Sequence, residues 1–154
     1  MTSIKTILVP TDFSALSLKA VDRAVELAKQ LGAELHLLHV CPLLMYALAP
    51  DMVPDDPNFE QNLKAKLAER LEKTAEGLRS SGVTVRTLLV TGNPTHEIAD
   101  VATKHGFDLV VIGTHGRTGL ARFALGSVAE RTVRVCSVPV LTLRVLDNAK
   151  DGSA

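Results

Sequence analysis

Four of the ten glycines, Gly113, Gly116, Gly119 and Gly126, fall in the run GTHGRTGLARFALGS, directly after the apolar segment LVVI. Glycine admits positive φ and close backbone approach, so a loop this rich in it can turn its amides inward around phosphate oxygens. Gly126 and Ser127 then lead into an amphipathic stretch. If that stretch is a helix, its first-turn amides and positive dipole end add a second anion-binding element. From Gly113 to Arg134 there are four arginines (117, 122, 131 and 134) against the single acid Glu130, a local excess of three positive charges. The rest of the chain carries the opposite excess. The alternative is an ordinary glycine-rich turn whose arginines, Arg131 and Arg134 above all, face solvent. Ser127 and Glu130 also stand at capping-box spacing, which predicts that each side chain bonds an amide of its own helix.

The remaining chemistry-bearing residues are few. Asp12 follows the apolar run ILVP and is either a ligand contact or a cap for the helix that begins near FSALSLKAV. His115 is the only histidine that the spacing places in a candidate site, while His36 and His39 read as structural or surface residues. No histidine pair has metal-ligand spacing. The phosphate-loop motif G-x-x-x-x-G-K-[ST] is absent, and the first strand is followed by PTDFSA instead of G-x-G-x-x-G. The acid cluster and late lysine of a phospho-acceptor domain are missing too. No nucleophile is paired with a base, and no two acids are arranged for catalysis. Enzymatic activity is therefore left undecided.

Positioning these residues requires a scaffold, and the hydrophobic pattern supplies one. Short apolar runs at Ile4 to Val9, Leu35 to Val40, Val83 to Val90, Leu109 to Ile112 and Val138 to Val145 read as strands. The middle ones carry little strict alternation, as strands covered on both faces do. Helices are expected from Ser14 or Ser17 to Leu31, from Asp56–Pro57 to Gly82, from Asn93–Pro94 to Gly106, and from Ser127 onward. The order β-α-β-α-β-α-β-α-β predicts an α/β fold, a single doubly wound five-stranded parallel sheet with helices on both faces. With the strand order 3-2-1-4-5, the ligand crevice lies beyond the ends of strands one and four. There it gathers Pro10, Thr11, Asp12 and the loop from Gly113. Pro139 cannot donate to a ladder, which places strand five at an edge; residues near Val138 to Val145 then either pair with another chain or form an edge blunted by Pro139 and Arg144.

The 154 residues carry 17 Lys and Arg against 17 Asp and Glu, a formal net charge of zero. That length suits one core, which buries ~70% of the unfolded chain's surface. Residues 1–146 read as one domain and 147–154 as a loose tail. The segment Cys41 to Asp56 is long for a strand-to-helix connection and too apolar for a solvated linker; it is expected to pack over the second helix, or to act as a lid or partner contact. Charge balance argues against whole-chain attraction to nucleic acid or an anionic membrane. Cys41 and Cys136 match no metal or redox spacing and read as buried and unpaired. Neither a signal-peptide core nor a run of the ~20 apolar residues that a membrane span needs is visible, so a cytoplasmic location is expected.

The spacing G-x-x-G-x9-G-S formed by Gly113, Gly116, Gly126 and Ser127 resembles the ATP-binding motif of the universal stress protein family. The opening ILVPTDFS and the closing CSVPVLTLR resemble that family's two ends, so the likeness runs from about Ile4 to Val145. It implies a fold like that of the adenine nucleotide alpha hydrolases and a cytoplasmic, homodimeric stress-response regulator of the family's ATP-binding branch, with ATP and Mg²⁺ as ligands. Carried over by position, Pro10, Thr11 and Asp12 would border the adenosine, with Asp12 near the ribose. Val40 would offer its backbone to the adenine edge. Gly113, Thr114, His115, Gly116 and Arg117 would close over ribose and phosphates, and Gly126, Ser127 and Val128 would hold the phosphates. The competing expectation is an interaction or chaperone-like homodimer whose glycine loop is purely structural.

Overall fold

The computed structural model describes residues 3–42, 51, 55–114 and 125–144. Its elements are β1 (Thr6–Pro10), α1 (Ala15–Leu31), β2 (Glu34–Pro42), α2 (Phe59–Arg79), β3 (Val85–Gly92), α3 (Pro94–Lys104), β4 (Leu109–Gly113), α4 (Ser127–Val135) and β5 (Val140–Leu143). All strand pairs are parallel, and the sheet order is β3-β2-β1-β4-β5. This is the expected α/β architecture.

The burial pattern explains the two-sided cover. Ile7, Leu8 and Val9 in the central strand are all fully buried, although their side chains alternate between faces. On one face Ile7, Val9, Leu35, Leu37 and Val111 pack with Val21, Ala24 and Ala28 of α1 and with Leu71 and Ala75 of α2. On the other, Leu8, Leu38, Val40, Val110 and Ile112 pack with Ile98, Val101 and Ala102 of α3 and Ala129 of α4. Each fully buried aliphatic side chain contributes roughly 1.5–3 kcal/mol through the area it removes from water. Asp108 latches the start of β4 to β1: its Oδ2 accepts from the Lys5 and Thr6 amides and from the Thr6 hydroxyl. Those bonds hold its carboxyl below the usual carboxylate range.

The local signals set most boundaries. Ser14 caps α1 by accepting from the Ser17 amide, and Gly32 ends it in the left-handed region at φ 64°. Asn93 caps α3 with Pro94 in the first turn, as expected. In α2 the start differs from expectation. Asp56 accepts the Asn58 amide in a turn of its own, so Pro57 lies before the helix and Phe59 opens it. The helix ends at Arg79, short of Gly82, and its buried residues are Leu71 and Ala75. β3 starts two residues late and continues to Gly92, because its pairing with β2 runs on through Cys41 and Pro42. β5 is only four residues long; Pro139 precedes it and uses its carbonyl to accept the Val110 amide. Cys41 is buried but Cys136 is half-buried, a correction to the expectation that both are enclosed. The central part of the Cys41–Asp56 loop, Val145 and the tail lie outside the described residues. Among the described residues no helix is long and apolar enough to cross a membrane.

Candidate functional site

The carboxyl ends of β1, β2 and β4 converge on a cavity of about 500 Å³, within the usual ~300–1,000 Å³ of small-molecule sites. It lies where the chain, having placed β2 and β3 on one side of β1, switches to place β4 and β5 on the other. Pro10, Thr11, Asp12, Val40, Gly113, Thr114, Gly126, Ser127 and Val128 all line it. His115, Gly116 and Arg117 lie outside the described residues.

At one side the chain leaves β1 as Thr11-Asp12-Phe13. The Asp12 carboxylate accepts the Ser14 amide at 2.9 Å through Oδ1, and Ser14, not Asp12, is the helix cap. Thr11 is almost enclosed, and its polar atoms are engaged by the protein. Its amide donates to the Leu38 carbonyl and its carbonyl faces Nδ1 of His39 at 2.8 Å. Its hydroxyl accepts the Phe13 amide and lies 2.8 Å from the Ser17 hydroxyl, which in turn reaches the Ser14 carbonyl. A consistent assignment has Thr11 donating to Ser17 and Ser17 donating to Ser14, one proton each.

The middle of the cavity is apolar. Val40 and Ile98 come from the α3 side of the sheet, and Leu63 and Leu67 come from α2. The alternation that sends the Leu38 carbonyl to Thr11 sends the Val40 amide and carbonyl the same way, beyond the point where β1 leaves the sheet. Burial in this wall pushes the Cys41 thiol up from its ordinary pKa.

At the far side Thr114 and Gly126 clasp: the Gly126 amide donates to the Thr114 carbonyl at 2.7 Å, and the Thr114 amide donates to the Leu143 carbonyl. The two ends of the glycine-rich segment are thereby joined at the cavity wall. Gly113 does not use the left-handed region; a Cβ built on it would stand 3.2 Å from the Ala20 methyl, so its need is close packing of α1. Gly126 likewise has φ −59° and ψ 151° and serves as the N-cap of α4. The expected Ser127–Glu130 capping box does not form. Ser127 is the first residue inside the helix and makes no capping bond, and Glu130 pairs with Arg134 at 3.0 Å. The physical reason is register: with the cap one residue earlier, Ser127 no longer stands three residues before an amide that it can bond as Ncap. The first bond within α4 runs from the Glu130 amide to the Gly126 carbonyl, leaving the Ser127, Val128 and Ala129 amides at the cavity. Arg131 and Arg134 are exposed and do not line it. Among the described residues that line the cavity there is no Lys or Arg, so the groups that could meet an anion there are the amides at the amino end of α4.

Several lining residues escaped the sequence reading. His39 and Cys41 stand on the face of β2 opposite Val40 and reach the rim because β2 extends to Pro42. His39 corrects the expectation that His115 is the only histidine of the site. Its signal was its place immediately before Val40. Leu63 and Leu67 line the cavity because the early turns of α2 overhang the crevice. Pro94, valued as a helix starter, is also part of the wall.

Comparison with known proteins agrees with this geometry. The model of the universal stress protein family matches residues 3–144. The chain is 36% identical over 143 residues to the universal stress protein MJ0531 of Methanocaldococcus jannaschii, covering 91% of this chain and 82% of that one. Its fold matches the solved structure of MJ0577 from the same organism with a TM-score of 0.75 at 30% identity, over 96% of this chain and 100% of that one. It also matches, at a TM-score of 0.63 and 24% identity over 92% and 98% of the two chains, a universal stress protein from Archaeoglobus fulgidus in complex with dAMP. Sequence, sheet order and family model thus converge, and the chain belongs to the universal stress protein family.

Proposed function

We propose that this chain is a cytoplasmic stress-response regulator that binds ATP or a related adenine nucleotide in the cavity between β1 and β4. The observation that carries this reading is the pairing of a carboxylate, Asp12, with the amino end of α4 across one apolar cavity of about 500 Å³. Adenine suits the apolar walls, with the Val40 backbone facing its edge. Ribose hydroxyls suit Asp12, and phosphates suit the Gly126, Ser127 and Val128 amides. Gly113, Thr114, His115, Gly116 and Arg117 complete the site in this reading. The dAMP complex of the Archaeoglobus protein shows that one relative by fold takes an adenine nucleotide. Mg²⁺ would arrive with the phosphates and neutralise their charge, since no cluster of His, Cys, Asp and Glu among the described residues is placed to hold it alone. The described lining contains a single carboxylate, Asp12, so turnover is expected to be slow or absent.

Calorimetry with ATP and Mg²⁺ on nucleotide-stripped protein tests the reading. Heat at one site per chain is expected, with phosphate release well below an ordinary ~10 per second. Absence of heat would favour the competing assignment, an interaction or chaperone-like homodimer with a structural glycine loop.

The proposal includes a homodimer through the edge near Val138–Val145. Leu141 on β5 and Val133 and Val135 on α4 are exposed apolar side chains at this end of the sheet, and β5 has no strand on its outer side among the described residues. Light scattering at micromolar concentration should give twice the mass of the chain; a single-chain mass would remove this part.

A further inference from the structure

We propose that His39 is a positioning residue for the nucleotide, clamping the loop that carries Asp12, a role that rests on the adenine nucleotide reading above. His39 is 6% exposed at the carboxyl end of β2 and touches the residues on both sides of Asp12. Its Nδ1 lies 2.8 Å from the Thr11 carbonyl. A carbonyl oxygen only accepts, so Nδ1 carries the proton and donates, whatever the state of Nε2. Its ring lies 4.5 Å from the Phe13 ring, tilted by 40°.

The loop needs such a clamp. Phe13 has φ 63°, in the left-handed region that a bulky side chain seldom occupies, and such a conformation persists only where its surroundings over-determine it. Three contacts do so here. The Phe13 amide donates to the Thr11 hydroxyl at 3.0 Å. The Arg70 guanidinium of α2 sits 4.3 Å from the ring centroid, and the His39 ring supplies the third contact. Asp12 lies between the two residues that His39 holds. A slip of the Thr11 carbonyl or a relaxation of Phe13 therefore moves the Asp12 backbone directly. Ser14 fixes the carboxylate relative to the start of α1, while His39 fixes it relative to β2, the strand whose Val40 faces the same cavity. His39 thus sets the distance between the ribose-binding and adenine-binding parts of the site, and a supporting group of this kind acts through placement to within a fraction of an ångström.

The test uses two substitutions and two nucleotides. In His39→Asn the side-chain amide nitrogen takes the position of Nδ1 and keeps the bond to Thr11; in His39→Gln it takes the position of Nε2 and the bond is lost. By calorimetry with Mg²⁺, His39→Gln is expected to bind ATP about tenfold more weakly than the unchanged protein, the scale of one lost hydrogen bond. His39→Asn should recover binding to within about threefold. With 2′,3′-dideoxy-ATP, which has no ribose hydroxyls for Asp12, the His39→Gln penalty should shrink to less than about twofold. A general loss of structure would weaken both nucleotides alike, and that result would overturn the proposal. Equal ATP binding by His39→Gln and the unchanged protein would also overturn it, while leaving the nucleotide reading intact. No binding of either nucleotide by the unchanged protein would remove both. Should His39→Gln fail to fold, nitrogen NMR of the unchanged protein decides: Nδ1 protonated throughout the neutral range is expected, and an unprotonated Nδ1 would refute the clamp.

Discussion

Replacing Ser127 by Glu is expected to abolish nucleotide binding while leaving the fold as stable as before or slightly more so. Ser127 is exposed at the first helical position of α4 and makes no capping bond, so the substitution removes nothing that the helix depends on. A carboxylate in the first turn interacts favourably with the positive end of the helix dipole, by about 0.3–1 kcal/mol. The same carboxylate competes for the Ser127, Val128 and Ala129 amides and repels an incoming phosphate. Two unit charges ~4 Å apart at an effective dielectric near 20 cost about 4 kcal/mol, or several hundredfold in affinity. The opposite signs are what make the variant informative. Calorimetry should show binding weakened by more than about a hundredfold, while the thermal midpoint without nucleotide stays level or rises. Undiminished ATP affinity would mean that the phosphates do not sit at α4, and the proposed orientation of the nucleotide would have to be abandoned.

The second large effect falls on stability. Leu71→Ala should destabilise the protein by about 2–5 kcal/mol, the range for truncating a large buried aliphatic side chain. Leu71 is 1% exposed, and it and Ala75 are the two buried residues of the 21-residue α2. The rest of that helix is half-buried or exposed and bears surface ion pairs such as Lys64–Glu60 and Lys73–Glu69. Exposed pairs of this kind add little. Leu71 is thus the one large, fully buried side chain by which α2 docks on the sheet, with Leu67 and Leu78 packed beside it half-buried, and Leu63 and Leu67, which line the cavity, ride on the same helix. Equilibrium denaturation in urea measures the loss. Saturating ATP should restore part of it, because a ligand that binds only the folded state stabilises that state. A loss below about 1 kcal/mol would show that α2 is held by something other than its buried face.

How much of this was legible in the residues differs by element. The apolar runs of β1, β2 and β4 were plain because both faces of a central strand are covered, which leaves Ile7, Leu8 and Val9 equally buried. The α3 cap was plain because Asn93 acts within three residues of itself, whereas Asp12, Ser14 and Ser17 all competed for the start of α1 and the folded chain uses Ser14. The edges were harder. β5 shrank to Val140–Leu143 and β3 started two residues late, since the end of an edge strand is set by its single neighbour; β1 too began two residues past Ile4, at Thr6. The start of α2 moved past Pro57 because Asp56 spent its side chain on a local turn.

In the site the same division holds. Asp12, Gly113, Gly126 and Ser127 could be named from type and spacing, because loops at strand ends draw their chemistry from a few permissive residues. Their roles could not. Whether Ser127 caps its helix or faces the cavity turned on a shift of one residue at Gly126. Thr11 became a hub, with its amide, carbonyl and hydroxyl all engaged, only once Leu38, His39 and Ser17 were brought against it.

The family, the order of elements and the end of the sheet at which a ligand would bind could all be read along the chain, because hydrophobic period, crossover handedness and local turn chemistry are short-range properties written in neighbouring residues. That His39 lines the cavity, that α2 supplies part of its wall and that Phe13 is held at positive φ came from the folded packing. Those contacts join residues far apart in the chain, such as His39 to Thr11 and Arg70 to Phe13. They exist because packing the sheet between its helices makes them neighbours, which no spacing along a strand or helix encodes.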